Sequence, residues 1–240
     1  MSNILVILHE AGHALYEMGL PTQAYGSPLG ESISLGIHES QSRFWETRIG
    51  TSVPFWKYFL PILKKTFGGK LADISLEAFW RAMNKSEPSF IRVEADEVTY
   101  PLHVILRYEL ECDLITGELK ANEVPEAWND KMTRYLGITP QNNREGCLQD
   151  IHWAMGAMGY FPTYTMGTLY ASQIFDAFAK ENKDWESRVA RGELRFIRTW
   201  LQENIHQYGK QYTSAELMKK ITGDTLSATS FLKYLDGKYR

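Results

Sequence analysis

An apolar run near the start of the chain leads directly into a group of polar residues. Ile4 to Leu8 are apolar at every position, which is typical of a helix that is buried on several sides. His9 and His13 follow at a spacing of four, so a helix would carry both imidazoles on one face, with Glu10 about 100° round the axis. We therefore predict a helix over residues 2–19.

The rest of the chain has mainly helical periodicity. Further helices are predicted over residues 32–49, 51–69, 75–83, 96–117, 125–135, 174–178, 194–205 and 230–235, with two more that begin near Tyr160 and at Thr213. Residues 89–94 alternate apolar and polar positions and predict a short strand. No internal repeat or linker divides the sequence. We predict a single domain over residues 1–240, mainly α-helical, with at most a small, short-stranded β-sheet.

Composition narrows the possible classes. The 240 residues are 44% hydrophobic, which is enough to bury a sizeable core. The net charge is −3 with both signs interspersed, so we expect neither a nucleic acid nor a membrane as partner. No signal peptide is recognisable before the first apolar run. Cys112 and Cys147 are too few for a disulfide framework and favour a reducing compartment. We predict a cytoplasmic protein.

The polar group in the first helix has the spacing of a metal site. His9-Glu10-Ala11-Gly12-His13 is the HEXXH signature of the zincins. Zinc binds neutral imidazole nitrogen, and a catalytic zinc takes three protein ligands and leaves a fourth position for water. Glu10 would then accept a proton from that water. The alternative is a chance pattern in which both histidines are hydrogen-bonded residues of the protein core.

Glu39 is the natural third ligand. It lies 26 residues after His13, and a helix–loop–helix pair would bring it back over the first helix. The neighbouring Phe44 and Trp45 favour an inward position for this segment. In the alternative, Glu39 is a surface carboxylate that pairs with Arg43 one helical turn away.

Four motifs in order make the sequence similar to a known family. The first two are residues 9–17, HEAGHALYE, and residues 36–43, GIHESQSR. Residues 91–96, IRVEAD, and residues 146–153, GCLQDIHW, match the patterns IRXXAD and GXXQDXHW. Together they resemble the carboxypeptidase Taq family of metallocarboxypeptidases over nearly the whole chain. The resemblance implies a zincin-like helical fold, a zinc ion with cobalt as the alternative, peptide substrates and a homodimer.

The resemblance is incomplete at one end. Members of the family normally carry a long helical N-terminal half with an HPF-type motif and a DXRXT motif, and this sequence has neither. It therefore resembles the C-terminal half of such an enzyme. Two functions stay open. The chain is a carboxypeptidase that uses metal-activated water with Glu10 as general base, or it is a truncated, metal-binding and non-catalytic protein or one part of a split enzyme. A separate N-terminal half would then be its partner.

Arg92 is the candidate for substrate recognition. An enzyme that removes C-terminal residues must bind a free carboxylate, and a guanidinium group can bind both carboxylate oxygens at once. In the alternative, Arg92 forms a structural bridge to Glu94 or Asp96, both of which are near it in sequence.

Two further stretches offer polar groups for catalysis. His152 could donate to substrate, and Asp150 could orient a metal-bound imidazole. Tyr160 and Tyr164 follow in a Gly-flanked aromatic turn, and zinc peptidases commonly use a phenol to stabilise the oxyanion. The family resemblance favours these two tyrosines over Tyr170. The alternative for each of these groups is a structural hydrogen bond or core packing.

Overall fold

The computed structural model describes residues 2–240, leaving out the side chains of Ser2 and Lys70. Within those residues every regular element is helical and no strand occurs, which confirms the mainly α-helical fold class. The helices are α1 (Ser2–Glu17), α2 (Leu35–Arg43), α3 (Val53–Phe67), α4 (Leu76–Met83), α5 (Tyr100–Thr116), α6 (Val124–Leu136), α7 (Pro162–Glu181), α8 (Trp185–Val189), α9 (Arg195–Asn204), α10 (Ser214–Thr222) and α11 (Thr229–Tyr239).

The strand predicted over residues 89–94 is wrong. Arg92–Glu94 forms a single 3₁₀ turn instead. The backbone N–H of Arg92 donates to the Gln149 side-chain oxygen at 2.8 Å. A short alternating pattern does not show whether a neighbouring strand is available for a sheet. Here the Gln149 side chain accepts the backbone hydrogen bond that such a strand would have accepted.

Hydroxyl side chains set several helix starts. Ser34, Ser52, Ser75 and Thr213 each accept a hydrogen bond from the backbone N–H three residues later, at the starts of α2, α3, α4 and α10. These caps satisfy N–H groups that have no partner within the helix. The second helix consequently begins at Leu35, three residues later than predicted.

The second helix also changes its winding. After α2, the six residues Phe44–Ile49 continue as a π-helix. A π-segment adds a residue to the turn and is frequently found at functional sites. The α-helical periodicity predicted up to residue 49 therefore fails here, and Glu46 and Arg48 take positions that an α-helix would not give them.

The described chain divides into two compact units. Unit 1 comprises Met1–Asn84 and Met166–Arg240, and unit 2 comprises Lys85–Thr165. The single domain over residues 1–240 stays a prediction.

Each unit has its own apolar core. In unit 1, α1, α2, α7 and α9 contribute fully buried side chains that include Tyr16, Ile37, Ile174 and Leu201. In unit 2, α5 and α6 pack together through Leu106, Leu110, Trp128 and Met132. The core of unit 1 fixes α1 against α2, which is the contact on which the candidate site depends.

Helix α1 is less buried than its composition predicts. Ile4 and Leu8 pack against the core of unit 1, but Val6 is 53% exposed and Ile7 is 66% exposed. The expected burial on several sides is therefore absent in this chain. None of the described helices has the length and apolar content needed to cross a membrane.

Candidate functional site

The three predicted metal ligands converge in unit 1. The Nε2 atoms of His9 and His13 lie 3.2 Å apart. The Glu39 Oε2 atom lies 3.6 Å from Nε2 of His9 and 3.4 Å from Nε2 of His13. An ion held tetrahedrally with bonds of 2.0–2.1 Å requires ligand atoms about 3.3 Å apart. The donor set and its spacing therefore fit one divalent metal ion bound by these three residues.

Two glycines allow the helices that carry these ligands to approach. A Cβ atom on Gly12 would lie 2.6 Å from the backbone oxygen of Gln41 and 2.6 Å from Cα of Ser42. A Cβ atom on Gly167 of α7 would lie 2.3 Å from Cγ of Glu39. All three distances are far inside van der Waals contact, so these positions need glycine for this packing.

The surroundings of Glu39 exclude its surface alternative. Glu39 is 6% exposed, and its Oε2 atom accepts a hydrogen bond from Ser42 Oγ at 3.2 Å. Arg43 contacts other groups, donating to Glu46 at 2.8 Å and to Thr168 at 3.2 Å. A buried carboxylate beside two imidazoles needs a compensating positive charge. The position matches that of a ligand, and ligation itself stays a prediction.

Glu46 orients His9 and was not anticipated from the sequence. The Nδ1–H of His9 donates to Glu46 Oε2 at 2.8 Å, which leaves Nε2 as the free lone pair toward the metal position. Burial lowers the pKa of His9, but the Glu46 hydrogen bond and the charges of Glu39 and Glu46 outweigh it, so the pKa is raised. Burial raises the pKa of Glu46, but Arg43 and His9 overcome it and lower the pKa. Glu46 is thus held as a carboxylate.

A second chain of hydrogen bonds orients His13. Its Nδ1 lies 2.6 Å from Nδ1 of His38, and Nε2 of His38 lies 2.8 Å from Glu17 Oε1. The carboxylate of Glu17 can only accept, so Nε2 of His38 carries a proton and its Nδ1 accepts from His13. This order leaves Nε2 of His13 free for a metal. Glu17 lies one helical turn after His13, and His38 directly precedes Glu39. These two spacings are the only sequence signals that Glu17 and His38 orient His13.

Glu10 is exposed. It directly follows the proposed ligand His9 and lies about 100° round the helix axis from it. It is therefore accessible to a water molecule and a substrate.

Arg92 belongs to a buried cluster in unit 2. Arg92 is 5% exposed, and its Nη2 and Nε donate to Asp150 Oδ1 at 2.7 and 3.1 Å. Its Nη1 donates to the Tyr100 hydroxyl at 2.8 Å. The proposed bridge to Asp96 is not formed, because the Asp96 carboxylate accepts from the backbone N–H groups of Val98 and Thr99 and so caps the turn before α5.

Arg107 completes this cluster, and sequence reasoning missed it. Its Nε donates to Asp150 Oδ2 at 2.7 Å and its Nη2 to Gln149 at 2.8 Å. Burial raises the pKa of Asp150, but the charges of Arg107 and Arg92 and their hydrogen bonds outweigh it, and the pKa is lowered. Burial lowers the pKa of Arg107 to about 10 although Asp150 opposes this. The two arginines therefore share one ionised carboxylate.

His152 contacts one of the two candidate tyrosines. Its Nε2 lies 2.9 Å from the Tyr164 hydroxyl, and its ring lies 5.5 Å from that of Tyr160. Burial, followed by the positive charge of Arg92, lowers the pKa of His152. This shift favours the neutral imidazole, whose Nε2 either accepts a hydrogen bond from the Tyr164 hydroxyl or donates one to it, depending on the tautomer. Asp150 belongs to unit 2 and the predicted metal ligands belong to unit 1, so its role in orienting a metal-bound imidazole stays a prediction.

The predicted residues thus fall into two sets. His9, Glu10, His13 and Glu39 belong to unit 1, and Arg92, His152, Tyr160 and Tyr164 belong to unit 2. Within each unit the structure brings the members of its set together. Tyr170, which the sequence made the weaker candidate, is buried in the core of unit 1.

Comparison with known proteins agrees with the geometry. The model of the carboxypeptidase Taq (M32) metallopeptidase family matches residues 1–239. Thermostable carboxypeptidase 1 of Thermus thermophilus is 48% identical over 238 residues, which cover 99% of this chain and 46% of that protein. Carboxypeptidase 1 of Bacillus subtilis is 43% identical over 232 residues, covering 97% of this chain and 46% of that protein.

Solved structures give the same result. A structure of Pyrococcus furiosus carboxypeptidase matches with a TM-score of 0.95 and 45% identity, covering 99% of this chain and 48% of that one. Trypanosoma cruzi metallocarboxypeptidase 1 matches with a TM-score of 0.92 and 40% identity, covering 98% of this chain and 50% of that one. The chain therefore spans about half the length of the relatives that it matches.

Proposed function

Because this chain belongs to the carboxypeptidase Taq (M32) metallopeptidase family, we propose that it is a zinc-dependent metallocarboxypeptidase that hydrolyses C-terminal residues from peptides. The observation that carries the proposal is the convergence of His9, His13 and Glu39 at the spacing of a three-ligand metal site. Two imidazoles and a carboxylate suit zinc, and cobalt is the alternative metal.

The residues of unit 1 divide the catalytic work. His9, His13 and Glu39 would hold the ion. When bound, a divalent ion supplies Lewis acidity, which polarises the scissile carbonyl and lowers the pKa of a water molecule toward ~7. The exposed Glu10 carboxylate accepts the water proton and passes it to the leaving amine nitrogen. Glu46 keeps the Nδ1 proton of His9 in place throughout.

The residues of unit 2 are proposed to bind and stabilise the substrate. Tyr164, paired with the neutral His152, is our choice for the donor to the oxyanion, with Tyr160 as the alternative. Arg92 is proposed to bind the C-terminal carboxylate. Its bonds to Asp150 and Tyr100 fix the orientation of the guanidinium group.

A second candidate function is that of a metal-binding protein without catalysis, or of one part of a split carboxypeptidase with a separate N-terminal half. The convergence of His9, His13 and Glu39 supports metal binding in either case, and the chain matches 46% of the Thermus thermophilus relative. A homodimer and a cytoplasmic location also stay proposals. The first comes from the family resemblance, and the second from two cysteines that are both free thiols.

The experiment that separates these functions measures release of the C-terminal residue from N-blocked peptides. The chain is assayed alone and with the half of the Thermus thermophilus relative that it does not match, each after loading with zinc or cobalt. We expect hydrolysis, and we expect Glu10→Gln to lower kcat by roughly 10²- to 10⁴-fold with metal still bound. The control Glu31→Gln removes another exposed carboxylate and should leave kcat unchanged.

Three outcomes decide between these proposals. Metal bound with no hydrolysis in either mixture excludes the carboxypeptidase and leaves the non-catalytic protein. Activity only after addition of the second half shows that catalysis needs residues that this chain does not supply. Full activity of Glu10→Gln excludes the proposed general base. Sedimentation analysis of the same samples decides whether a homodimer forms.

A further inference from the structure

The π-segment, Phe44–Ile49, lies beside the candidate metal site. It packs against α1, and its residue Glu46 accepts the hydrogen bond from Nδ1 of His9 at 2.8 Å. π-Helical winding is rare and occurs mostly as single turns within α-helices. Contacts from outside the segment are therefore needed to hold this winding in place.

Side chains bind the carbonyl groups that follow the last bond of the π-segment. That bond runs from the backbone N–H of Gly50 to the Trp45 oxygen at 2.8 Å. The next carbonyl groups lie in the final turn, where a helix leaves its carbonyls without an intrahelical partner. The indole N–H of Trp56 donates to the Gly50 oxygen at 2.8 Å. That of Trp80 donates to the Thr51 oxygen, also at 2.8 Å.

The carbonyl group of Thr47 is bound from helix α11. The Tyr234 hydroxyl donates to its oxygen at 3.2 Å, across 187 residues of sequence. Lys238 donates to the Tyr234 hydroxyl at 2.8 Å and to the Thr51 hydroxyl at 2.9 Å. Because an ammonium group only donates, both hydroxyl groups accept from Lys238 and donate to the Thr47 oxygen. Lys238 therefore sets the direction of this hydrogen-bond network.

Tyr234 also contacts the residue that follows Thr47. The guanidinium carbon of Arg48 lies 3.7 Å from the centre of the Tyr234 ring, a cation–π contact that is attractive in its own right. One side chain of α11 thus holds two successive residues of the π-segment, one through its hydroxyl and one through its ring. Removal of the hydroxyl alone would leave the ring contact in place.

The bond to Thr47 bears directly on the metal site. Thr47 directly follows Glu46, so the peptide group that Tyr234 holds adjoins the residue that binds His9. Without this bond, the end of the segment could rewind as the more common α-helix and turn Glu46 round the helix axis. Nδ1 of His9 would then lose its acceptor, and the imidazole would be a less basic and less well oriented ligand.

We propose that Tyr234 is a positioning residue of the candidate metal site, whose hydroxyl holds the π-segment in the winding that brings Glu46 to His9. This proposal rests on the proposed function, because it takes His9 to be a metal ligand. Tyr234 acts through Glu46, and this dependence separates it from a residue that only adds stability.

The first test is a double-mutant cycle with zinc affinity as the readout, measured by competition with a chromophoric chelator. We expect Tyr234→Phe to weaken zinc binding roughly threefold to tenfold, below the usual effect of a group that binds the ligand itself. In a Glu46→Gln background, we expect Tyr234→Phe to weaken it by less than about twofold, because Glu46 is then no longer there to be positioned. Glu46→Asp takes the place of Glu46→Gln if thermal unfolding shows that the latter does not fold.

The second test needs no zinc. It follows amide exchange in the metal-free chain by NMR, and we expect Tyr234→Phe to speed exchange of the Gly50 N–H roughly threefold to tenfold. The matched control for both tests is Tyr212→Phe, which removes the hydroxyl of another half-buried tyrosine of unit 1. It should change zinc affinity and Gly50 exchange by less than about twofold.

Three results would overturn the proposal. They are unchanged zinc affinity in Tyr234→Phe, an equal loss of zinc affinity in both backgrounds, and unchanged exchange of the Gly50 N–H. The second result is the one that a merely stabilising tyrosine would give. If the unmodified chain binds no zinc, the proposed function fails, and the exchange data still decide whether Tyr234 holds the π-segment.

Discussion

At the scale of single residues, the orientation of the two imidazoles depends on hydrogen bonds behind them. The proton order Glu17, His38, His13 leaves one lone pair of His13 directed at the metal position. Partners of this kind usually account for a 10- to 100-fold difference in metal affinity. Glu17 is more exposed than His38. Its removal should therefore weaken metal binding less than removal of the His38 ring.

We therefore predict that His38→Ala weakens zinc binding about 10- to 100-fold and Glu17→Gln about threefold to tenfold. The measurement is competition for zinc with a chromophoric chelator, which does not require activity. Glu77→Gln, which removes an exposed carboxylate elsewhere in unit 1, serves as the control. Equal zinc affinity in His38→Ala and the unmodified chain would show that His38 only packs beside the site.

The convergence of the three proposed ligands could be predicted from the sequence, and the residues that hydrogen-bond to them could not. His9 and His13 follow from helical spacing, and Glu39 follows from a helix that returns over the first. Glu46 depends on the π-segment, for which no sequence pattern exists. His38 depends on the packing distance between α1 and α2, which sequence spacing does not contain.

At the scale of helices, the contact between α1 and α2 depends on one missing methyl group. Gly12→Ala would place a Cβ atom 2.6 Å from the backbone of α2 at Gln41. Backbone atoms cannot yield as a flexible side chain can, so α2 must shift and carry Glu39 with it.

We predict that Gly12→Ala lowers the free energy of unfolding by about 1–3 kcal/mol, the usual effect of overpacking, and weakens zinc binding as well. The control is Gly237→Ala in α11, where an added Cβ meets no atom within 4 Å. It should raise stability by roughly 0.5–1 kcal/mol, because alanine is the better helix former. Urea unfolding of both variants gives the comparison, and equal stability of Gly12→Ala and the unmodified chain would contradict the proposed close contact.

The sequence predicted helix starts well, but it did not predict structure that depends on residues far away in sequence. The helices predicted to begin at Thr213 and at Ser75 begin one residue later, because a capping box at Thr213 and an N-cap serine at Ser75 set these starts locally. The prediction of a strand over residues 89–94 was wrong, because the backbone of this segment is hydrogen-bonded by Gln149, a residue far away in sequence. Arg107 escaped notice for the same reason, since its partner Asp150 lies 43 residues later.

At the scale of the whole molecule, the open question is whether the two units unfold together. Unit 2 is inserted between the two segments of unit 1, and helix α7 continues across the boundary between Thr165 and Met166. Separate unfolding would break this helix and expose its backbone groups. We therefore expect the single predicted domain to unfold cooperatively.

A metal ion that binds only the folded state raises stability according to its concentration relative to Kd, by about 2.7 kcal/mol at a hundredfold excess. All proposed ligands lie in unit 1. We predict a single calorimetric transition that zinc shifts upward as a whole, by roughly 5–10 °C at that excess, and that EDTA returns to its starting temperature. The variant Glu39→Gln should lose the shift, whereas Asp150→Asn should keep it, because Asp150 belongs to unit 2. Two transitions, of which zinc moves only one, would show that units 1 and 2 are independent domains and that the single-domain prediction is wrong.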